Sequence, residues 1–129
     1  MKKGDEFESV FKITDEVYSG FISLFNDKNP LHTNKKFAIQ KGFKSEVMHG
    51  NILNGFISYF IGECLPIKNV IIQSQEIKFF KPTYLYNILT FQAEIVDVFE
   101  SVNVVEIKFI FKNENEMKVA SGKINIGII

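Results

Sequence analysis

The stretch His49–Cys64, HGNILNGFISYFIGEC, decides how this chain folds. A helix built from it carries apolar side chains on nearly every side: Ile52, Leu53, Phe56, Ile57, Tyr59, Phe60 and Ile61. A helix that lacks a polar face is buried by the rest of its protein. The following Leu65-Pro66 ends it, because proline cannot continue a helix. We therefore predict one long buried helix over residues 49–64.

The C-terminal half of the chain supplies the strands that can cover this helix. Four segments have strand character: Val70–Phe80, Asn87–Phe99, Val102–Lys112 and Met117–Ile126. Turns are predicted at Glu100-Ser101 and over residues 113–116. Long antiparallel strands with one polar face need an apolar cover on the other face, and only the 49–64 helix is apolar enough. The sequence thus predicts an α+β, hot-dog type fold, in which a curved antiparallel β-sheet wraps a long central helix.

The N-terminal third has a strand or extended arm at residues 5–13 and an amphipathic helix at residues 14–25. Thr14 is the predicted N-cap of this helix, because acidic residues follow it in the first turn. A second short helix is predicted over residues 34–41, with Thr33 or Asn34 as its cap and Gly42 at its end. Since the chain has no linker, repeat or low-complexity tract, we expect a single domain over residues 1–129.

Composition narrows the function classes. With 15 basic and 15 acidic residues among 129, the net charge is zero, which argues against nucleic-acid or anionic membrane partners. The single cysteine excludes an internal disulfide, and with only two histidines it argues against a closed zinc site. No segment resembles a signal peptide or a membrane span. We expect a soluble cytoplasmic protein without a metal, and the 14 phenylalanines are expected to fill its core.

The loop between the first two helices, NDKNPLH at residues 26–32, carries the most chemistry. Pro30 stops the preceding helix and biases Asn29 toward an extended conformation. Asp27 and His32 can then face one pocket. A carboxylate and an imidazole that share a water molecule can take one proton from it and give another to a substrate. Hydration of an activated double bond requires this pair of transfers.

A second candidate feature is His49-Gly50-Asn51, where the central helix begins. The first backbone N–H groups of a helix have no intrahelical acceptor, and the helix dipole adds positive charge there. Gly50 would let a ligand carbonyl approach closely. The segment could therefore stabilise negative charge that develops on a substrate carbonyl oxygen.

Each of these residues also has an ordinary structural interpretation. Asp27 can cap a turn, His32 can be a surface side chain and His49 can cap the helix. Ser58, in an apolar helix, most often hydrogen-bonds a preceding carbonyl. Cys64 is expected to be a buried small hydrophobic side chain.

The combination of motifs narrows the choice. The chain contains, in order, the motifs Asp27–His32 (DKNPLH), Gly42-Phe43, His49-Gly50, Leu65-Pro66 and Phe80-Lys81-Pro82, together with Ala38, Ser58 and Gly62. This order resembles the (R)-specific enoyl-CoA hydratases of the MaoC-like hot-dog family, whose signature reads roughly SGDxNP[IL]H followed by GF and then HG. The resemblance extends from about Phe11 to the C-terminus.

The resemblance implies a role for each site residue. Asp27 and His32 would be the catalytic pair that activates water, and Asn29 would hold the loop and help to orient His32. Gly50 would donate its backbone N–H to the thioester carbonyl, beside His49. Ser58 would be a supporting residue of the site. Two departures from the family pattern are Phe25-Asn26 in place of Ser-Gly, and Tyr86-Asn87 in place of Gly-Asp.

The expected activity is interconversion of a trans-2-enoyl thioester and an (R)-3-hydroxyacyl thioester, without a cofactor. The substrate would be a CoA or acyl carrier protein thioester, and the resemblance implies a homodimer or a dimer of dimers. Two alternatives stay open: a hot-dog acyl-CoA thioesterase, or a non-catalytic acyl-CoA binding module, because a fold does not determine an activity.

Overall fold

The computed structural model describes all residues, Met1–Ile129. Five strands and four α-helices make up the chain: β1 (Glu6–Lys12), α1 (Asp15–Phe25), α2 (Pro30–Thr33), α3 (Lys35–Gln40), α4 (Asn51–Tyr59), β2 (Val70–Phe79), β3 (Ile88–Phe99), β4 (Val104–Lys112) and β5 (Lys118–Ile128). A π-helical turn, Phe60–Cys64, extends α4, and a 3₁₀ turn, Glu100–Val102, joins β3 to β4. The predicted strands and their turns are therefore confirmed to within a few residues at each end.

The strands form one antiparallel sheet in the order β1-β3-β4-β5-β2. Its apolar face packs against α4, so the core joins Ile52, Leu53 and Ile57 of the helix to alternate residues of β3, β4 and β5. This arrangement confirms the α+β hot-dog prediction. None of the helices combines the length and the apolar character needed to cross a membrane.

The prediction that phenylalanine fills the core is confirmed only in part, since four phenylalanines are buried whereas Phe25, Phe79, Phe80 and Phe99 are exposed. Phe60, Phe91 and Phe111 are fully buried, and the ring of Phe91 lies 4.8 Å from that of Phe60 and 4.9 Å from that of Phe111. Such tilted aromatic pairs add about 1 kcal/mol each to the free energy gained from burial. The central helix is thereby fixed against β3 and β4 through its C-terminal turn.

The prediction of a helix buried all round was wrong. Tyr59 is 56% exposed, and Asn51, Gly55 and Ser58 share its solvent-facing side of α4. Tyrosine counts as apolar in the pattern, but its hydroxyl group allows it to face water. The prediction that Cys64 is buried was also wrong, because the π-helical turn ends the helix with Cys64 exposed.

A short helix follows the NDKNPLH loop, where the sequence predicts none. Pro30 begins α2 instead of only ending α1, because proline lacks the N–H that a first helical residue does not need. Asn29 is its N-cap, in the extended conformation predicted for a residue before proline. The predicted caps Thr14 of α1 and Asn34 of α3 are confirmed, since both side chains accept backbone N–H groups.

The two departures from the family pattern fall where the backbone is left-handed. Asn26 has a φ of 58° and closes α1 with its N–H on the carbonyl of Ile22. Tyr86 has a φ of 70°, a conformation that costs a residue with a Cβ about 1 kcal/mol. The Tyr86 hydroxyl donates to the Asp15 carboxylate at 2.6 Å, and its N–H donates to the Ile13 carbonyl at 2.7 Å. These contacts hold the turn in the conformation that glycine would adopt freely.

At Gly122, β5 packs closely against β2, and a substitution of this glycine tests that packing. A Cβ at this position would lie 1.9 Å from the Glu76 carbonyl oxygen and 2.8 Å from Cζ of Phe109. We expect Gly122→Ala to lower the free energy of unfolding by about 3 kcal/mol, because backbone and a core ring must both move. Urea unfolding followed by circular dichroism measures this change.

Gly20 within α1 is the matched control. A Cβ there meets nothing within 4 Å, so Gly20→Ala should raise the free energy of unfolding by about 1 kcal/mol through helix propensity alone. Equal effects of the two substitutions would contradict the packing described for β2 and β5.

Candidate active site

The loop that carries Asp27 is held by its own side chains. The Asp27 carboxylate accepts the Asn29 N–H at 3.2 Å, and the Asn29 side-chain oxygen accepts the Leu31 N–H at 3.0 Å. The Asn29 carbonyl in turn accepts the His32 N–H at 2.8 Å. These three bonds link the carboxylate to the imidazole through the turn, and they place Asn29 where the resemblance expects it to hold the loop.

The protonation of His32 follows from its partner. Nδ1 lies 2.7 Å from the Val47 carbonyl oxygen, and a carbonyl can only accept, so the neutral ring carries its proton on Nδ1. The lone pair of Nε2 is therefore free, and this atom faces Oδ2 of Asp27 at 4.0 Å. The separation is too long for a direct hydrogen bond but suits one water molecule that donates to both.

Tyr18 of α1 is a site residue that the sequence analysis missed. Its hydroxyl donates to the His32 carbonyl at 2.5 Å, which ties α2 to α1. Burial, and then the negative charge of Glu46, raise the pKa of Tyr18, so the hydroxyl retains the proton that it donates. In the sequence, Tyr18 is one more apolar position of an amphipathic helix, and only the fold shows what its hydroxyl contacts.

His49 packs against His32. Its ring is 2% exposed and stacks on His32 with 3.9 Å between ring centroids. Nε2 is 2.9 Å from the backbone carbonyl of Asp27, so Nε2 carries the proton, and the buried Nδ1 has no hydrogen-bond partner. His49 makes no side-chain cap to α4. Its contacts fix the backbone that presents the Asp27 carboxylate.

The start of α4 provides the expected backbone donors. The N–H groups of Gly50 and Asn51 donate to no protein acceptor, whereas those of Ile52 and Leu53 already bond the carbonyls of His49 and Gly50. The ring of Phe79 covers Gly50, because a Cβ there would lie only 3.0 Å from Cζ of the ring. A side chain at position 50 would therefore have to displace the Phe79 ring.

Ser58 is not brought to Asp27 and His32. It lies two turns beyond Gly50, about 12 Å along the helix, on the exposed side of α4. It lines neither of the cavities that contain Asp27 and His32. The role that the resemblance gives to Ser58 stays a prediction.

The candidate donor atoms of Asp27, His32 and His49 lie within 4.8 Å of one another, as they would around a metal ion. One nitrogen of each imidazole donates to a backbone carbonyl, which leaves the other nitrogen of each ring with a lone pair. The lone pair of His32 Nε2 faces the Asp27 carboxylate at 4.0 Å.

Two cavities flank the first turn of α4. The α1–α4 groove, about 780 Å³, contains Asp27 and is lined mainly by apolar side chains, among them Phe21, Leu24, Ile52 and Phe56. The His32 cavity, about 450 Å³, is lined by His32, Val47, Gly50 and Phe79 among others. The carboxylate and the imidazole therefore meet where two cavities of ligand size adjoin.

The two histidines are expected to be opposite tautomers. His32 should carry its proton on Nδ1 and His49 on Nε2, since each of these nitrogens donates to a carbonyl. Long-range proton–nitrogen NMR at neutral pH measures this directly. The variants His32→Gln and His49→Gln assign the two rings, because the chain has no other histidine. An Nε2-protonated His32 would contradict the site geometry.

Comparison with known proteins places the chain among relatives of one kind, although no protein-family model matches it. It is 31% identical over 90 residues to an (R)-specific enoyl-CoA hydratase of Rhodospirillum rubrum, covering 70% of this chain and 62% of that protein. It is 25% identical to a mitochondrial 3-hydroxyacyl-[acyl-carrier-protein] dehydratase of Arabidopsis thaliana, covering 95% of this chain and 75% of that one. For three of the four curated relatives, the aligned segment spans only 55%, 62% or 58% of their length.

Solved structures agree on the fold. The (R)-hydratase of Aeromonas caviae superimposes with a TM-score of 0.91 at 21% identity, covering 100% of this chain and 98% of that one. The R-hydratase of Pseudomonas aeruginosa superimposes with a TM-score of 0.89 at 24% identity, and the match covers 99% of this chain and 82% of that one. With the sequence relatives, these similarities show that the chain belongs to the MaoC-like family of (R)-specific enoyl-CoA hydratases and dehydratases.

Proposed function

We propose that this protein is a lyase that interconverts trans-2-enoyl and (R)-3-hydroxyacyl thioesters. The main support for this proposal is that the free lone pair of His32 Nε2 and the carboxylate of Asp27 face each other at 4.0 Å. Relatives at 31% identity are named (R)-specific enoyl-CoA hydratases, which supports the same chemistry. The thioester would be carried by CoA or an acyl carrier protein, and no cofactor takes part. The expected homodimer and the cytoplasmic location also stay predictions.

In the hydration direction, one water molecule lies between the two side chains. His32 Nε2 removes one proton as the water oxygen forms a bond to C3 of the enoyl group. The Asp27 carboxylate accepts a hydrogen bond from the other hydrogen, which stays on the new hydroxyl group. The electrons of the double bond shift toward the thioester oxygen. The imidazolium of His32 then returns its proton to C2, so one water is added in total.

Negative charge develops on the thioester oxygen before C2 is protonated. The N–H groups of Gly50 and Asn51 donate to no protein acceptor and are available to this oxygen. They lie at the positive end of α4, where preorganised donors stabilise such an oxyanion. The reverse reaction uses the same groups in the opposite order.

Substitution of either member of the pair should lower turnover strongly. We expect Asp27→Asn and His32→Gln each to lower kcat for hydration of crotonyl-CoA by about 10³-fold, because His32 transfers the proton and the Asp27 carboxylate orients the attacking water. Glu16→Gln is the matched control, since Glu16 is the other carboxylate of the α1–α4 groove. Loss of the ultraviolet absorbance of the enoyl thioester measures the rate, and circular dichroism checks folding.

The same assay separates the alternatives. A thiol reagent in parallel detects free CoA, which a thioesterase would release and a hydratase would not. Near wild-type hydration by Asp27→Asn would contradict the mechanism. A folded wild-type protein that binds enoyl-CoA without hydrating or hydrolysing it would be a binding module.

Tyr18 should act on turnover through His32. We expect Tyr18→Phe to lower kcat about fivefold to tenfold, the factor for one neutral hydrogen bond of about 1 kcal/mol. KM should change less than about twofold, because Tyr18 contacts the loop backbone and no substrate atom. Tyr59→Phe, on the exposed side of α4, is the control. An equal loss of kcat in both variants would contradict the positioning role of Tyr18.

A further inference from the structure

His49 is the only titratable side chain that is buried in the fold, and the proposed reaction does not use it. Its Nδ1 atom has no hydrogen-bond partner. Buried polar atoms are nearly always hydrogen-bonded, so an exception of this kind calls for a physical explanation. The surroundings of the His49 ring suggest what this explanation is.

The His49 ring contacts both members of the Asp27–His32 pair. It stacks on the imidazole of His32, with 3.9 Å between the ring centroids and 29° between the ring planes. Its Nε2–H donates to the backbone carbonyl of Asp27 at 2.9 Å. The ring of Phe21 also packs against it, with 4.6 Å between the centroids. Because His49 is enclosed in this way, it can influence a reaction only through these neighbours.

The two stacked imidazoles are not equivalent as proton acceptors. A second proton on His32 would bind Nε2, which faces the Asp27 carboxylate at 4.0 Å. A second proton on His49 would bind Nδ1, where it would form a buried N–H without an acceptor. Two protonated rings 3.9 Å apart would also repel each other. The stacked pair should therefore accept one additional proton, and that proton should bind His32.

The charged and titratable groups around the stack lie on several elements. The N-terminal end of α4, directly after His49, carries positive partial charge. The ring of Tyr18 on α1 is 6.1 Å from that of His49, and burial, followed by the charge of Glu46, raises the pKa of Tyr18 and keeps its hydroxyl group neutral. Glu46 forms no ion pair with either histidine. The only anion in an ion pair with the stack is therefore Asp27, and its partner there is His32.

We propose that His49 is a positioning residue that remains neutral through the reaction cycle and holds His32 and Asp27 at the separation of one water molecule. Its two contacts have different effects. The ring supports the imidazole of His32, and the Nε2–H holds the backbone from which the Asp27 carboxylate extends. This inference rests on the proposed function and deepens it, because it assigns a role to a buried residue that cannot touch the substrate.

The proton balance of hydration is unchanged by this role. The proton that leaves water binds His32 Nε2 and is later returned to C2, while His49 neither gains nor loses a proton. The neutral ring of His49 lies against the imidazolium of His32 as it forms, and a cation is attracted to the face of an aromatic ring. A charged His49 would instead oppose proton transfer to His32.

Histidine titration tests where the second proton binds, and it requires no turnover. Proton–nitrogen NMR during acidification of the wild type should show His32 protonated on both nitrogens while His49 keeps one proton, on Nε2. The variants His32→Gln and His49→Gln assign the two rings. Protonation of His49 before His32, protonation of both together, or no protonation of His32 before the protein unfolds would each overturn the proposal.

Two substitutions of His49 separate positioning from packing. His49→Phe keeps a buried ring but has no donor for the Asp27 carbonyl. We expect this variant to be at least as stable as the wild type, because it removes the unpartnered Nδ1. Its kcat for crotonyl-CoA should nevertheless fall about tenfold, the factor for one lost hydrogen bond, with KM changed by less than about twofold.

His49→Gln has the opposite combination, since its amide supplies an N–H donor close to the place of Nε2 but the ring is lost. It should be less stable than His49→Phe and yet retain more turnover, with kcat lowered about threefold, because a directional hydrogen bond fixes the loop backbone more closely than stacking does. If His49→Phe retained more turnover than His49→Gln, the ring would serve packing alone and the proposal would be wrong.

Thr33→Val is the matched control, because the exposed Thr33 hydroxyl also donates to carbonyls of the loop, those of Lys28 and Asn29. It should change kcat by less than about twofold, since neither carbonyl belongs to Asp27. An equal loss of kcat in Thr33→Val and His49→Phe would contradict a specific role of His49.

Titration and kinetics together separate this proposal from the proposed function. If the wild type hydrates no enoyl thioester but only His32 takes the second proton, the hydratase function fails while the neutral state of His49 stands. If the wild type hydrates crotonyl-CoA and His49→Phe does so at the same rate, the function stands and the positioning role fails.

Discussion

The site depends on a reciprocal exchange of hydrogen bonds between two histidines and two backbone carbonyls. His32, on the loop, donates to the carbonyl of Val47, just before α4. His49, at the same place before α4, donates back to the carbonyl of Asp27 on the loop. The stacked rings fill the space between, and the Val47 N–H on the Leu31 carbonyl adds a third connection. Asp27, His32 and the backbone donors of α4 are thereby held as one unit.

This exchange of hydrogen bonds can fix the position of the loop only because α4 itself is held in place. The helix is fixed through its buried side against β3, β4 and β5, and its last turn is fixed by the Phe60–Phe91 pair. A shift of the helix would carry Val47 and His49 with it and would separate His32 from Asp27. The fully buried core thus supports the separation of Asp27 and His32 at the surface. Catalytic groups are commonly placed on loops that a rigid scaffold holds in this way.

The sequence predicts the elements well and the contacts between them less well. The period of the strands, the Thr14 and Asn34 caps and the Asp27–His32 loop are local features, so composition and spacing reveal them. Tyr18 and Val47 escaped notice because each acts through an atom that the pattern does not distinguish, a hydroxyl on an apolar stripe and a main-chain carbonyl. The exposed side of α4 was missed because tyrosine and glycine count as apolar or neutral in a periodicity argument.

The departures from the family pattern show which parts of the motif the fold requires. Asn26 and Tyr86 stand where the family has glycine, and both keep the left-handed backbone that glycine permits. Asparagine adopts this conformation at modest cost, whereas Tyr86 is held in it by Asp15 and Ile13. What the fold requires at these positions is a backbone angle, and a side chain with suitable partners can satisfy it.

Phe25, which precedes Asn26, differs from it because its backbone is helical and does not require a small residue. Its ring lies 4.9 Å from that of Phe21 and lines the same groove as Asp27, so it narrows the apolar end of the site. Lys81 lines the cavity at the other end, beside His32. The side chains around the Asp27–His32 loop therefore determine which groups can lie on either side of it. Within a shared fold, substrate choice belongs to such neighbours of the reacting groups.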